Sequence, residues 1–457
     1  MVTVEKQDSI TLKISHTMAS SKKSKLDCYL FIPGELGLGP EVLSEGELYY
    51  NAISQKRAYY SNETLLPLVH SRLAKRGHLS STQYRVSLSL FAYQYVIALD
   101  KSIRQLNKTD KESVSADEVD EVIELAIDIL KRLRRSIPYE ENLKRYYANI
   151  DNYLSWYTEQ GFLSLVSNLP RDKDSDYKTI KERLITLAEK EQAHRKLNHY
   201  NSSKVRDDVT RLSNKMRLLR RLIEHPVILK EKTTSLGKNM NRAAKGLATG
   251  FVMVFVTIAA ISARDYWGRI TLSFVILMSM VYALREIFKD DLRDVLWRWI
   301  RKGRPKWRKH FYDPTTNKAV GQKTEWLDYT QLSKLPDRIR LIRKKRVVQR
   351  EEQILHYRSS TEMTTSRFMS GYDETRESVM ISMGFLTRLM DKGSNKVYLV
   401  NNGQVSKESV EKRHLVNLIV KEENVDLGVR YYRWKIVLNR SKIVAIEKID
   451  LGDELSS

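Results

Sequence analysis

The chain has 457 residues, a net charge of +23 and a single cysteine, Cys28. The length allows more than one hydrophobic core, and the lone cysteine excludes an intramolecular disulfide and a cysteine-built zinc site and suits a reducing compartment. Met1 to Ser15 lacks the apolar core of a secretory signal, so any membrane insertion must be directed from within the chain.

Ser9 to Ser15 alternates apolar and polar residues, and Leu26 to Ile32 is an apolar run ended by Pro33 and Gly34, so the two predict a small β-hairpin. Gly34 to Pro40 lacks the Gly-Lys-Ser/Thr of a phosphate loop and reads as a plain connection. Helical periodicity follows over Gln83 to Leu106, over Val119 to Leu133 behind a Ser115–Glu118 capping pattern, and from Glu140 through a tyrosine-rich stretch. Residues 1–174 are therefore expected to form an N-terminal cytoplasmic domain, a β-hairpin followed by helices.

Residues 175–232 read as a heptad-like helical stalk interrupted near Asn201. Val205, Val209, Leu212, Met216, Leu219 and Ile223 alternate four- and three-residue steps, the mark of a helical seam. That seam serves self-association between chains or an antiparallel pairing within the domain, and the spacing favours neither.

Gly246 to Ala263 contains no charged residue and at ~1.5 Å per residue reaches ~27 Å, close to a bilayer's hydrocarbon thickness. A polar break, Arg264 to Arg269, leads to a second apolar run, Ile270 to Leu284. Residues 244–288 are thus expected to be a two-helix transmembrane hairpin, with Tyr266 and Trp267 at the headgroup layer. Gly246, Gly250, Ala259 and Ala263 place small residues where helices approach closely, either across the hairpin or between copies. Basic residues crowd both flanks: residues 204–245 hold twelve Lys/Arg against four Asp/Glu, and residues 285–350 hold twenty against eight. The positive-inside rule then predicts an inner (plasma) membrane protein with two spans and both termini cytoplasmic.

Residues 289–358 form a basic juxtamembrane region. Trp297, Trp299 and Trp307 interleave with Arg298, Arg301, Lys302, Arg304, Lys306, Arg308 and Lys309, and Arg343, Lys344, Lys345 and Arg346 follow. Tryptophans at a membrane interface beside cations that attract anionic lipid explain this mixture; a nucleic acid is the alternative partner. Trp307 to Tyr312 and Val320 to Tyr329 predict a small β-hairpin, Leu335 to about His356 a basic helix, Ser359 to Ser370 a linker, and Glu374 to Met390 a further helix. Lys396 to Asn401, His414 to Val420, Val429 to Leu438 and Lys442 to Glu447 are strand-like, so residues 371–457 predict an α+β C-terminal cytoplasmic domain with an antiparallel sheet.

The fold expected from these parts is that of a mainly α membrane protein. No metal-ligand spacing, Walker lysine or nucleophile elbow occurs, so no catalytic residue, metal site or cofactor is assigned. The reading is a non-enzymatic membrane scaffold, sensor or effector, acting as a homo-oligomer or on a protein partner. Three alternatives stand beside it: a membrane-tethered nucleic-acid binder using residues 285–350, a pore-forming effector, and an enzyme with its site in the N-terminal helices.

Overall fold

The computed structural model describes residues 2–18, 23–60, 80–108, 116–169, 175–267, 272–301, 303–343, 351–364, 374–390, 394–401, 404–424 and 428–452. Its centre is β-structure. Strands β1 (Thr3–Lys6), β2 (Thr11–Met18), β4 (Ile53–Tyr60) and β9 (Glu374–Ser382) form a four-stranded antiparallel sheet in the order β1-β2-β9-β4. An eight-stranded antiparallel sheet faces it. Its members are β3 (Lys23–Pro33), β5 (Lys230–Ser235), β6 (Trp307–Tyr312), β7 (Ala319–Thr330), β8 (Glu352–Met363), β12 (His414–Asn424), β13 (Gly428–Leu438) and β14 (Ile443–Ile449), in the order β14-β13-β12-β3-β8-β7-β6-β5.

Hydrogen bonds stitch the two sheets together at both edges. The Ile443 amide donates to the Ser9 carbonyl at 2.7 Å and the Lys6 ammonium to the Ile443 carbonyl at 2.7 Å. On the other side, Tyr59 N donates to Val227 O at 3.2 Å and Leu229 N to Arg57 O at 2.9 Å, just before the chain enters β5. The sandwich is in effect a flattened barrel, which leaves little open sheet edge. Between the sheets, Leu12, Ile14, Val379 and Ile381 pack against Leu26, Leu30, Leu355 and Leu418. Helix α1 (Glu45–Ala52), held by a Ser44–Glu47 capping box, adds Leu48 and Tyr49 to this core.

Two helical insertions leave the barrel. The first, between β4 and β5, holds α2 (Ser81–Lys108), α3 (Ala116–Arg134), α4 (Glu141–Asn168), α5 (Ser175–Leu197), the one-turn α6 (Ser203–Arg206) and α7 (Val209–Glu224). Its core is continuous with one end of the barrel, where Met18, Tyr59, Phe311, Val320 and Met363 meet the helices. The second, between β5 and β6, is the antiparallel pair α8 (Lys238–Trp267) and α9 (Leu272–Arg301), an arm whose two ends return to adjacent strands. The remaining elements are α10 (Asp337–Arg343), α11 (Gly384–Thr387) and the ribbon β10 (Ser394–Asn401) with β11 (Gln404–Glu411).

This corrects the expected mainly α, two-span membrane fold. The large sheet takes β3 from the N-terminal part and seats it between β12 and β8 from the C-terminal part. Among the described residues one helix, Met240–Asp265, is long and apolar enough to cross a membrane. Helix α9 is not, because its apolar run ends at Leu284 and Arg285, Glu286, Lys289, Asp290, Asp291, Arg293 and Asp294 fill the rest. A two-span inner-membrane placement with both termini cytoplasmic therefore loses its basis.

Local expectations change too. Residues 374–382 are a strand in place of a helix, with Thr375, Glu377, Val379 and Ile381 turned inward. Of the expected basic helix to about His356, Asp337–Arg343 is helical and residues 344–350 lie outside the described residues, while β8 occupies its end and the first part of the expected linker.

Candidate functional site

Three features carry the chain's unusual chemistry: a charged layer inside the barrel, the helical arm, and the outer face of the large sheet. The layer arises because several strands carry a charged residue at an inward position. Arg57 and Gln55 on β4, His16 on β2, Glu377 on β9, Lys323 and Glu325 on β7, Lys309 on β6 and Tyr357 on β8 meet between the apolar barrel core and the helical cap. Arg57 and Lys323 both bond the Glu377 carboxylate. Lys323 lies 3.3 Å from Glu325, and Lys309 bridges Glu325 at 3.7 Å and Glu231, on β5, at 3.5 Å. Lys323 also donates to Tyr357 at 3.0 Å, whose hydroxyl donates to Glu325 at 2.5 Å.

Burial alone would raise the Glu377 carboxyl, but Arg57 and Lys323 outweigh it and hold it well below the ordinary carboxylate range. Burial pushes His16 down from 6.5 to about 4, and the nearby Arg57 and Lys323 work in the same direction against the pull of Glu377. Glu231 is raised, chiefly by burial. The layer is thus a chain of alternating charges crossing the barrel from the strand that leads into the helical insertion to the strand that leads into the arm. Its carboxylates and cations are paired with one another, while His16 Nδ1 and Arg57 Nε are buried without a hydrogen-bond partner among the described residues.

A second polar hub lies in the helical insertion. Asp151 on α4 accepts from Arg134 at 3.2 Å, His194 at 2.8 Å and Tyr200 at 2.7 Å, joining α3, α4, α5 and the turn after α5. Asn152 and Asn201 exchange amide hydrogen bonds at 3.2 Å. The break near Asn201 thereby ties the chain back onto α4. Among the described residues no group of three His, Cys, Asp or Glu side chains is placed to hold a metal ion.

The arm distributes its residues differently from the small-residue pattern. Its seam is Ala244, Ala248, Val252, Val256 and Ala263, all buried. Ala259 is half-buried, whereas Gly246 and Gly250 are exposed, and a Cβ at either would meet nothing within 4 Å. Outside the seam, Leu247, Phe251, Val254, Phe255, Ile258 and Ile261 stand between 56% and 65% exposed. At the arm's base Trp297 packs under Gly237, whose φ of +99° suits glycine, and the Arg301 guanidinium lies 5.3 Å over that indole. Trp299 is 75% exposed, Arg242, Lys245 and Arg304 are exposed, and Arg304 reaches the Met240 sulfur at 3.6 Å.

Several basic and aromatic residues expected at a membrane interface lie in the barrel. Trp307 is a core residue, stacked on Tyr49 at 3.8 Å. Lys306 is buried with Glu45 and Asp328, Lys309 belongs to the interior layer, and Arg343 is buried against Glu352. The side chains of Tyr266, Trp267 and Arg298, and the residues Lys302, Lys344, Lys345 and Arg346, lie outside the described residues.

Of the seam expected for self-association, Met216, Leu219 and Ile223 are buried in the helical insertion's own core, with Leu212 packed against it. Val205 is half-buried, and Val209 is 81% exposed because Asp208 caps a new helix there and turns the chain.

The outer face of the large sheet presents a different surface, fixed by strand register. Thr234, Arg308, Thr324, Ser360 and Lys25 lie side by side on β5, β6, β7, β8 and β3. One step along the strands lie Lys232, His310 and Gln322; a step the other way brings Trp326 beside Arg358, whose guanidinium is 5.8 Å over the indole. No protein-family model, curated protein or solved structure matches this chain.

Proposed function

We propose that this chain is a non-enzymatic interaction protein, a scaffold or effector whose helical arm makes contact with a lipid bilayer. The carrying observation is the arm's uncovered apolar surface: only 17% of the most apolar window in Met240–Asp265 is buried. Each large apolar side chain left in water forgoes roughly 1.5–3 kcal/mol, which a lipid environment restores. The base of the arm supports the same reading. Arg242, Lys245, Arg301 and Arg304 beside Trp297 and Trp299 suit anionic headgroups and the bilayer interface. The barrel then serves as a rigid mount, with β5 and β6 gripping both ends of the arm.

Flotation of the full-length protein with phosphatidylcholine vesicles, with and without phosphatidylserine, tests this. The protein should float with both and more completely with phosphatidylserine. A Phe251→Asp, Phe255→Asp double variant should partition at least about a hundredfold less, since two such side chains contribute roughly 3–6 kcal/mol. If the protein ignores vesicles and instead forms a discrete oligomer that the same variant dissociates, the arm is a self-association element and the lipid reading falls.

A further inference from the structure

Apart from the Trp326 indole, which donates to the Gly303 carbonyl at the base of the arm at 3.1 Å, the outer face of the eight-stranded sheet is used by neither the barrel core nor the arm among the described residues. Helix α10 covers its apolar part, setting Leu335, Ile339 and Ile342 over Tyr29, Phe31, Ile354 and Ile419. Among the described residues, the half formed by β5 to β8 stays open. Across it runs the row Thr234, Arg308, Thr324, Ser360, Lys25, a file of cations and hydroxyls that ends at β12, where Glu423 pairs with Lys25 at 2.7 Å. At a strand spacing of ~4.8 Å the row is about 19 Å long.

Arg308 and the neighbouring Lys232 are exposed and have no acidic partner among the described residues, unlike the buried Lys306, Lys309 and Lys323. Arg358, 44% exposed, shares Asp27 with His356 and lies over Trp326. The face also offers Lys230, exposed and bonded only to the Asn317 amide oxygen at 3.0 Å. Two carboxylates on these four strands reach the solvent on this face: Glu362, at the far end beside Gln322, and Asp328, whose side chain is 46% exposed and paired with Lys306 at 2.6 Å.

We propose that this face binds single-stranded nucleic acid, with Arg308 and Lys232 on phosphates, the hydroxyl row on the backbone, and Trp326 stacking a base. A linear file of donors on a flat sheet, flanked by an indole, fits a polymer of phosphates carrying aromatic bases. The surface is separate from the arm's apolar face, so the inference does not depend on the lipid contact.

Fluorescence anisotropy of labelled oligo-dT and oligo-rU with the full-length protein tests it. Binding should be measurable at about 50 mM salt and fall steeply by about 200 mM. Neutralising two phosphate contacts with Lys232→Ala and Arg308→Ala should reduce the log–log salt slope by about 1.4, at roughly 0.7 per contact on a single strand. Trp326→Ala should weaken binding at least about fivefold. The control pair Lys204→Ala, Arg217→Ala, exposed in the helical insertion, should leave the slope unchanged. The proposal is overturned by no anisotropy change at low salt, by an unaltered slope in the Lys232/Arg308 variant with its melting transition intact, or by phosphatidylserine vesicles binding through these two residues while oligonucleotides do not.

Discussion

His16 concentrates the energetics of the barrel interior in one side chain. It is 2% exposed, its Nε2 lies 3.5 Å from Glu377, and its Nδ1 has no hydrogen-bond partner among the described residues. The groups facing it are Glu377, Arg57 and Lys323. Because its folded pKa of about 4 lies below the ordinary 6.5, the unfolded chain binds the proton more tightly. Stability from this group is full above 6.5 and is lost as the pH falls through that value toward 4, by roughly 2 kcal/mol between pH 7 and 5. Denaturant melts at pH 7 and 5 should show a drop that His16→Gln reduces by about that amount; an equal drop in both proteins would remove the assignment. Lys323 and Glu325 show why such a layer is hidden in a sequence. In the segment Gly321 to Asp328 the polar Lys323 and Glu325 face inward and Trp326 faces out, the reverse of a hydrophobic reading. Glu377, more than fifty residues from Lys323 along the chain, and Lys309, which lies 3.7 Å from Glu325 on the neighbouring strand, make that register tolerable.

At the scale of elements, the arm separates composition from packing. Its apolar length is written in the residues, but which helix face meets the partner is not. Gly246 and Gly250 suggested a close helix contact, whereas the seam runs through Ala244, Ala248, Val252 and Val256. Gly246→Leu with Gly250→Leu should therefore leave the hairpin intact, or stabilise it by up to roughly 1 kcal/mol per site through helix propensity. Ala248→Leu, which forces a larger side chain into the seam, should cost roughly 1–3 kcal/mol. Hydrogen exchange of the arm's amides in the full-length protein measures both; a reversed order would mean that the glycines form the seam. The strands β8 and β9 show a related difficulty. Their inward residues include Tyr357, Ser359, Thr361, Thr375 and Glu377, so the period of two is present in burial but masked in hydrophobicity.

For the whole molecule, the decisive fact is that the first and last parts of the chain share one sheet. Strand β3 is bonded to β12 along Ser24–Phe31 and to β8 along Lys23–Pro33. Removing residues 412–457 would strip Val416, Leu418, Trp434, Ile436 and Leu438 from the core. At roughly 1.5–3 kcal/mol each these account for at least about 8 kcal/mol, comparable with the entire stability of a typical domain. The truncated chain should lose the barrel's cooperative unfolding transition; its survival would show that the N-terminal strands hold together on their own.

The sequence alone determined the local properties that depend on neighbouring residues: the long helices of the first insertion, the apolar reach of Gly246 to Ala263, the hairpin at Trp307 to Tyr329 and the last strand pair. These follow from periodicity and turn chemistry within a window of some twenty residues. Tertiary structure decided everything that needs a distant partner. It made β3 a central strand, drew Trp307, Lys309 and Arg343 away from a supposed membrane interface into the interior, and closed the helical seam of Met216, Leu219 and Ile223 within its own domain. Local pattern states which residues seek burial or a counter-charge, but burial and charge are non-directional, and only the assembled sheets select which partner answers.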